Sequence, residues 1–219
     1  MMRLAVNRAL RHRSGRSDTK GCDLADAAQR KKRIRRDPET TRTLILDVTE
    51  RLMVEEGYAA VSSRRIAQEI GINAATIHYY YPTTDDVFIA LHRRMTDRLQ
   101  ADLERVLASP SPLQAYWQFQ SGWGQTALGV EFLALSNHRK AVGARLAAVT
   151  EQARTNCEGT IEKAVGALSV GGRPLPVGVA TTIMLAVGRL LANEERVGIT
   201  HGHDEVRKFM EWCLGRLSP

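Results

Sequence analysis

Cysteine is scarce in this sequence, and its scarcity narrows the possible classes of protein. The 219 residues include three cysteines, Cys22, Cys157 and Cys213, which are odd in number and widely separated. This spacing argues against a disulfide framework and against a clustered zinc site, and it suits a reducing compartment. We therefore expect a cytoplasmic protein with no metal and no cofactor.

Long apolar runs, prolines and aromatic residues are also few. No run approaches the roughly 20 apolar residues that a membrane-spanning helix needs. The first ten residues, MMRLAVNRAL, lack the apolar segment and cleavage site of a signal peptide. The low proline content, with many Ala, Leu and Arg residues, favours an all-α chain. Since the G-x-S-x-G, P-loop and dinucleotide-binding motifs are missing as well, we expect neither an enzyme nor a membrane partner.

Positive charge is concentrated at one end of the chain. Residues 1–40 hold 12 Lys and Arg against 5 Asp and Glu, which accounts for the whole net charge of +7. Polybasic arms bind nucleic acid by neutralising phosphates, and such arms can enter the minor groove. We predict that Arg33, Arg35 and Arg36 contact DNA from a basic, largely disordered arm at residues 1–36. The alternative for residues 1–28 is a solvated tail or a segment upstream of the true start.

Residues 61–91 carry the pattern of two short helices joined by a tight turn. A serine pair can cap the first helix, and Gly71 ends it by supplying a left-handed conformation. Asn73 is placed to cap the second helix, which Pro82 ends. Two helices joined by a short glycine-containing turn form a helix-turn-helix, whose second helix can lie in the DNA major groove.

The motifs around this pattern resemble the TetR family of bacterial transcriptional regulators. The resemblance is carried by ILDVTERLMVEEGY at residues 45–58 and by IAQEIGINAATIHYYYPTTDDVF at residues 66–88. It implies an all-α protein: an N-terminal three-helix helix-turn-helix DNA-binding domain and a larger C-terminal helical domain for ligand binding and dimerisation. We place the first domain at residues 37–98, with the helix-turn-helix at about 62–81. The second domain then occupies residues 99–219.

The predicted DNA contacts are exposed positions on the second, recognition helix and beside it. By resemblance, Arg64 matches a family position that contacts the edge or backbone of DNA. Ala74, Ala75 and Thr76 offer methyl groups and one hydroxyl, which suit thymine methyl groups or close backbone approach. Besides the arm residues, the predicted set is Ser63, Arg64, Asn73, Ala74, Ala75, Thr76, His78, Tyr79, Tyr80 and Thr84.

Two positions depart from the family pattern in a way that weakens the grip on phosphate. His78 stands where the family commonly has tyrosine, and Thr84 stands where it commonly has lysine. Residues 41–90 hold 4 Lys and Arg against 7 Asp and Glu, so this region is acidic on balance. We hypothesise that the basic arm supplies the electrostatic attraction that the helix-turn-helix domain lacks.

The C-terminal half has helical periodicity without a catalytic signature. We expect helices at about 113–127, 130–136, 138–168, 177–192 and 205–217, with a loop at 169–176. The resemblance implies that the last two long helices pair across a two-fold axis and that a ligand cavity lies between helices from about 95 to 190. The side chains proposed to line the cavity, which at helical spacing are also typical of core, are Trp117, Phe119, Trp123, Phe132 and Met184.

Together these features predict a ligand-responsive regulator, most often a repressor. It would act as a homodimer on a pseudo-palindromic double-stranded DNA operator, because protein symmetry dictates site symmetry. An unknown small-molecule effector would shift the population toward a state that does not fit the operator. The protein would be cytoplasmic, and nucleoid-associated when bound to DNA. The alternative is a helical small-molecule-binding or enzymatic domain that carries a vestigial DNA reader.

Overall fold

A computed structural model of the chain describes residues 37–122 and 126–217, and these residues are almost entirely helical. The described residues from Glu39 onward belong to one compact unit. The all-α prediction is therefore confirmed. The elements, in chain order, are α1 (Pro38–Glu56), a 3₁₀ turn (Tyr58–Ala60), α2 (Ser63–Ile70), α3 (Ala74–Tyr80), α4 (Thr84–Leu107), α5 (Pro112–Gly122), α6 (Thr126–His138), α7 (Lys140–Val165), β1 (Leu168–Val170), β2 (Arg173–Leu175), α8 (Val177–Arg196) and α9 (His203–Leu214).

The helix-turn-helix, α2 and α3, begins and ends at the residues that the sequence indicates. The Ser62 hydroxyl accepts a hydrogen bond from the Arg65 backbone N–H at 3.1 Å, which caps α2. Gly71 ends this helix with φ of 73°, a conformation that glycine adopts without steric cost. The Asn73 side-chain oxygen accepts from the Ala75 backbone N–H at 2.8 Å and caps α3. Local capping chemistry therefore fixes the position of the recognition helix along the chain.

Helix α4 contributes side chains to both hydrophobic cores of the protein. Its first turns place Val87, Phe88 and Leu91 in the first core, which is built around the helix-turn-helix domain (α1–α3). Its last turns place Leu103 and Leu107 in the second core, which is built from the C-terminal helices. The helix is continuous at residue 98, where we placed the domain boundary. One helix thus joins the two cores without a break.

The first core extends beyond the helix-turn-helix domain into the C-terminal half. Phe132 and Leu135 of α6, together with Val142 and Leu146 of α7, belong to the same cluster as Ile77 of the recognition helix. All five side chains are buried. The helix-turn-helix domain is therefore packed directly against the helices that follow α4.

Helix α8 is the only described helix that is long and apolar enough, by length and composition alone, to cross a membrane. In this fold it is a core helix of the C-terminal half. One of its faces is buried and packs in the second core. The buried positions on that face are Val177, Ala180, Met184, Gly188 and Leu191.

Gly188 marks the closest approach of α8 to α5. A Cβ atom added at Gly188 would lie 2.6 Å from the backbone carbonyl oxygen of Gln120, a contact that forces the two helices apart. We expect Gly188→Ala to lower the free energy of unfolding by about 1–3 kcal/mol through overpacking. Gly159→Ala is the matched control, because nothing lies within 4 Å of its added methyl group on α7. Thermal unfolding should show that Gly159→Ala is more stable than the unmodified protein by about 0.5–1 kcal/mol. Equal changes in the free energy of unfolding for the two variants would contradict this packing.

Residues 169–176, which we predicted as a loop, contain a small β-hairpin. Strands β1 and β2 pair antiparallel, with Leu168 opposite Leu175. Gly171 and Gly172 form the turn with φ of 56° and 75°, and positive φ at both central residues is what a two-residue hairpin turn requires. The Gly-Gly pair was the signal for this hairpin, and the prediction of a loop was wrong.

Several predicted helix bounds in the C-terminal half also differ from the observed ones. The short helix expected at 130–136 is longer, because α6 spans Thr126–His138. The helix expected at 138–168 begins after Arg139 and ends at Val165, where Gly166 adopts φ of 69°. Apolar periodicity identified each helix, but its ends depend on local backbone conformation.

Candidate nucleic-acid interface and ligand cavity

One face of the recognition helix α3 packs against the first core, and its other face is exposed to solvent. Ile77 is fully buried, so the helix is held against the first core. Ala75, His78 and Tyr79 are exposed, and Tyr79 is the extreme case with 82% of its surface accessible. A large aromatic side chain left this exposed on a short, well-capped helix is suited to contact another macromolecule.

The predicted contact residues differ in how far they can reach. Ser63 is buried, and its hydroxyl lies 3.3 Å from that of Thr84, so these two predicted residues contact each other. His78 Nδ1 lies 3.1 Å from the Pro82 carbonyl oxygen. Because a carbonyl oxygen can only accept, Nδ1 carries the proton, and Nε2 is the acceptor of the neutral ring. Tyr80 is half-buried, with the Arg42 guanidinium 5.5 Å from the centre of its ring.

Most of the positive charge in the helix-turn-helix domain is neutralised within the domain. Arg42 pairs with Glu39, while Arg51 and Arg65 share the Glu69 carboxylate and each also pairs with a glutamate of α1. The hydrogen bond from Arg51 is the main reason that the pKa of Glu69 is lowered. Arg65 is held by salt bridges to Glu56 and Glu69, both at 2.9 Å.

Arg64 differs from these three arginines. Within residues 41–90, all of which the structure describes, it is the one cation without an ion pair, and it is exposed. It remains the cation of this region that is available to phosphate. The predicted contacts of the arm, Arg33, Arg35 and Arg36, lie outside the described residues.

A cavity of about 340 Å³ lies in the C-terminal half, between α4, α5, α7 and α8. Among the five residues we predicted to line a pocket, Phe119 lines this cavity. Phe132 lines a neighbouring cavity of about 440 Å³. Trp117 and Met184 are buried in the second core and line neither cavity. Trp123 lies outside the described residues.

Sequence reasoning missed the polar residues of the cavity wall. His92, Arg154 and Arg189 line both cavities, and Tyr116 lines the cavity of about 340 Å³. Burial raises the pKa of Tyr116 to about 12, so this hydroxyl stays protonated at neutral pH. The available signal was His92, a polar residue inside the apolar stripe of α4 that begins at Val87.

Three polar contacts tie the helix-turn-helix domain and the start of α4 to the C-terminal half. Glu131 of α6 accepts a hydrogen bond from the Tyr58 backbone N–H at 2.8 Å. Arg139 pairs with Asp85 at 2.6 Å. The third is an ion pair between Arg145 of α7 and Asp86 at 3.2 Å. The helices that form the cavity wall are thus linked directly to the entry of α4.

The described residues thus combine a capped helix-turn-helix with a helical C-terminal half that contains a cavity. Residues 45–91 match the model of bacterial regulatory proteins of the tetR family. The chain is 34% identical, over 77 residues, to the HTH-type transcriptional repressor LfrR of Mycolicibacterium smegmatis. That match covers 35% of this chain and 40% of LfrR, so the chain aligns with less than half of the repressor's length. The helix-turn-helix segment of this chain, residues 45–91, is therefore of the tetR-family type.

Solved structures extend the similarity of fold to most of the chain. A TetR transcription regulator from Haloarcula marismortui superposes with a TM-score of 0.61 at 20% identity, covering 82% of this chain and all of the other. A transcriptional regulator from Saccharomonospora viridis, solved in complex with choline, gives a TM-score of 0.51 at 20% identity over 79% of this chain and 94% of its own. The C-terminal half therefore shares the overall fold of TetR-type regulators.

Proposed function

We propose that this protein is a sequence-specific DNA-binding transcriptional regulator, acting as a ligand-responsive repressor in the cytoplasm on nucleoid DNA. The observation that carries the proposal is the recognition helix α3, which is capped by Asn73, anchored by Ile77 and exposes Tyr79. The family match over residues 45–91 and the similarity to a repressor support the same function.

The contact surface that we propose for DNA combines exposed side chains with small ones. Tyr79 and the imidazole of His78 can reach bases or phosphates, and Arg64 can bind a phosphate. Because the side chains of Ala75 and Thr76 are small, the centre of α3 can approach the groove closely and contact thymine methyl groups. Asn73, Ala74, Tyr80 and Thr84 border this surface, and the arm residues Arg33, Arg35 and Arg36 would add phosphate contacts beyond it.

A mobility-shift experiment tests this proposal with the intact chain. DNA from the region upstream of its own gene should be retarded at low salt. The variant Tyr79→Ala should weaken the complex by about ten- to a hundredfold, as expected for the loss of one aromatic contact worth about 1–3 kcal/mol. No retardation at low salt would instead favour a helical ligand-binding domain with a vestigial DNA reader.

We infer that the protein acts as a homodimer through α8 and α9. Val179, Ile183 and Leu190 form an exposed apolar stripe on α8, and Phe209 and Trp212 are exposed and stacked on α9. Contiguous exposed apolar surface of this kind marks an interaction site. A two-fold pairing of these helices would place two recognition helices on one operator.

Placing one charge in this stripe should separate the two subunits. Ile183 is 50% exposed, so Ile183→Lys leaves the core intact but buries a charge in the proposed interface. Sedimentation at micromolar concentration should show a dimer for the unmodified protein and a monomer for this variant. Val54→Lys, at a similarly exposed position on α1, is the control and should remain dimeric. A dimer that survives Ile183→Lys would contradict the interface.

The proposed response to an effector uses α4 as the link between cavity and DNA. His92, Met95 and Leu99 of this helix line the cavity, while its first turn is held by Arg139 and Arg145 through ion pairs. A ligand that favours a different position of α4 would move α3 relative to its partner in the dimer and reduce operator affinity. A regulator of the same fold, from Saccharomonospora viridis, was solved in complex with choline, which supports a response to a small molecule.

A further inference from the structure

The two cavities of the C-terminal half are neighbouring parts of one space. The residues common to the walls of the cavities of about 340 Å³ and about 440 Å³ are His92, Met95, Leu99, Thr150, Glu151, Arg154 and Arg189. This size is in the range of about 300–1,000 Å³ that small-molecule sites occupy. The shared wall is therefore the place where a ligand in either part would meet polar groups.

Two arginines of this shared wall are left without acidic partners. Arg154 of α7 and Arg189 of α8 form no ion pair with any residue that the structure describes. Both side chains are exposed to solvent, yet the surrounding protein removes enough water from the Arg189 guanidinium to lower its pKa, and the charge of Arg154 lowers it further. Two like charges facing one space favour an anion between them.

The carboxylates of the same wall do not cancel this charge. The Glu158 carboxylate lies against Gly178, in the first turn of α8, where it is the group that an added Cβ would meet. A helix N-terminus stabilises negative charge, so Glu158 is already accommodated there. Glu151 is exposed and forms no ion pair with the described residues. The wall that both cavities share thus holds two arginines against one carboxylate, that of Glu151.

His92 adds an unsatisfied polar atom to the same wall. Its side chain is 6% exposed, and Nδ1 has no hydrogen-bond partner among the described residues. Nε2 lies 3.4 Å from the Thr150 hydroxyl, which itself donates to the Leu146 carbonyl oxygen. Nε2 therefore donates to Thr150 and Nδ1 is left as an acceptor, in a ring that burial keeps neutral by lowering its pKa. An orphaned acceptor this deep indicates that the cavity receives a molecule with polar groups.

Apolar side chains also contribute to the wall. Met95, Leu99 and Leu103 of α4, together with Phe119 and Ile161, line the cavity of about 340 Å³. A ligand that fits the whole space must combine an anionic group with an apolar body. Neither a simple inorganic anion nor a hydrocarbon would use both.

We propose that the effector of this protein is a small amphipathic organic acid whose carboxylate lies between Arg154 and Arg189 and whose apolar body lies along Met95 and Leu99. This inference rests on the proposed function for the role of the ligand, but not for its binding. A charge-assisted hydrogen bond to a guanidinium is about twice as strong as a neutral one, so the anionic group should dominate selectivity.

Three probes with the same eight-carbon chain test the charge preference: octanoate, octan-1-ol and octyltrimethylammonium. Isothermal titration calorimetry on the full chain without DNA should show octanoate binding at least about tenfold more tightly than octan-1-ol, and no binding of the cation up to about 1 mM. Arg154→Gln and Arg189→Gln should each weaken octanoate by about tenfold or more while leaving octan-1-ol unchanged. Lys163→Gln removes one charge from an exposed position on α7 and is the matched control, with no expected change.

The opposite results would overturn the proposal. These are octan-1-ol or the cation binding as tightly as octanoate, no octanoate binding up to about 1 mM, or unchanged octanoate affinity in both arginine variants. The order of the three probes on the unmodified protein decides the question even where a variant does not fold. The mobility shift without ligand tests the regulator proposal separately. If the protein prefers octanoate but forms no complex with DNA, the proposed effector class is supported and the proposed regulatory function is rejected. If it forms a complex with DNA but does not prefer octanoate, the regulatory function is supported and the effector class is rejected.

Discussion

A variant that begins at Asp37 should bind operator DNA at least about a hundredfold more weakly than the intact chain at low salt. Three of the four cations in residues 41–90 are committed to ion pairs, and Arg64 alone is available in that range. The region as a whole is acidic on balance. The arm holds the excess positive charge of the chain, with six Lys and Arg in residues 30–36. Removing it takes away most of the available phosphate contacts.

The salt dependence of binding measures this directly. The slope of log K against log salt concentration changes by about 0.9 for each phosphate neutralised. If all six cations of residues 30–36 contact phosphates, the truncated variant should show a slope shallower by about 5. A variant of full length with these six residues changed to Gln separates charge from length and should behave like the truncated one. A chain that begins at residue 29 tests residues 1–28, and an unchanged slope there would identify them as a solvated tail. Equal slopes for the intact chain and the variant that begins at Asp37 would refute the arm hypothesis.

Phe88→Ala should be the most destabilising of the single substitutions considered. Phe88 is fully buried in the first core, and the Arg139 guanidinium lies 5.5 Å from the centre of its ring. Truncating a buried phenylalanine costs about 3–5 kcal/mol through lost burial and the cavity left behind. Since domains are stable by about 5–15 kcal/mol in total, chemical denaturation should show a large loss.

The same substitution would loosen the position of α4 against α6 and α7. Tyr79→Ala is the control, because that side chain is 82% exposed and its removal should change the free energy of unfolding by no more than about 0.5 kcal/mol. The two variants should therefore differ in the property that they change. Phe88→Ala should lower the free energy of unfolding, whereas Tyr79→Ala should lower the affinity for DNA and leave the free energy of unfolding unchanged. A stable Phe88→Ala protein would show that α4 is not held by this core.

The local features of the helix-turn-helix could be predicted from the sequence because each depends on neighbouring residues. Gly71 ends α2 and Asn73 caps α3 through contacts within three residues. The capping box of α4 is equally local, since Thr83 and Asp86 exchange side-chain-to-backbone hydrogen bonds at 3.1 Å. The role of this segment in DNA binding followed from the resemblance to the TetR family, which the match over residues 45–91 confirms.

The cavity could not be predicted in the same way, because its wall is assembled from distant parts of the chain. Aromatic residues were the expected lining, yet Trp117 belongs to the second core while Phe119, two residues later, faces the cavity. Which side of α5 faces the cavity depends on how that helix packs against α8. Arg154 and Arg189 come together only when α7 and α8 pack. A helical pattern identifies an apolar face, but it does not show where two such faces fail to fill the space between them.

Selection from a random double-stranded DNA library at low salt tests the central claim most directly. The intact chain should enrich one pseudo-palindromic sequence, as expected for two recognition helices related by a two-fold axis. The dimer-breaking variant Ile183→Lys should fail to enrich the same sequence. Recovery of a library without any enriched sequence would contradict the account of this protein as a sequence-specific regulator.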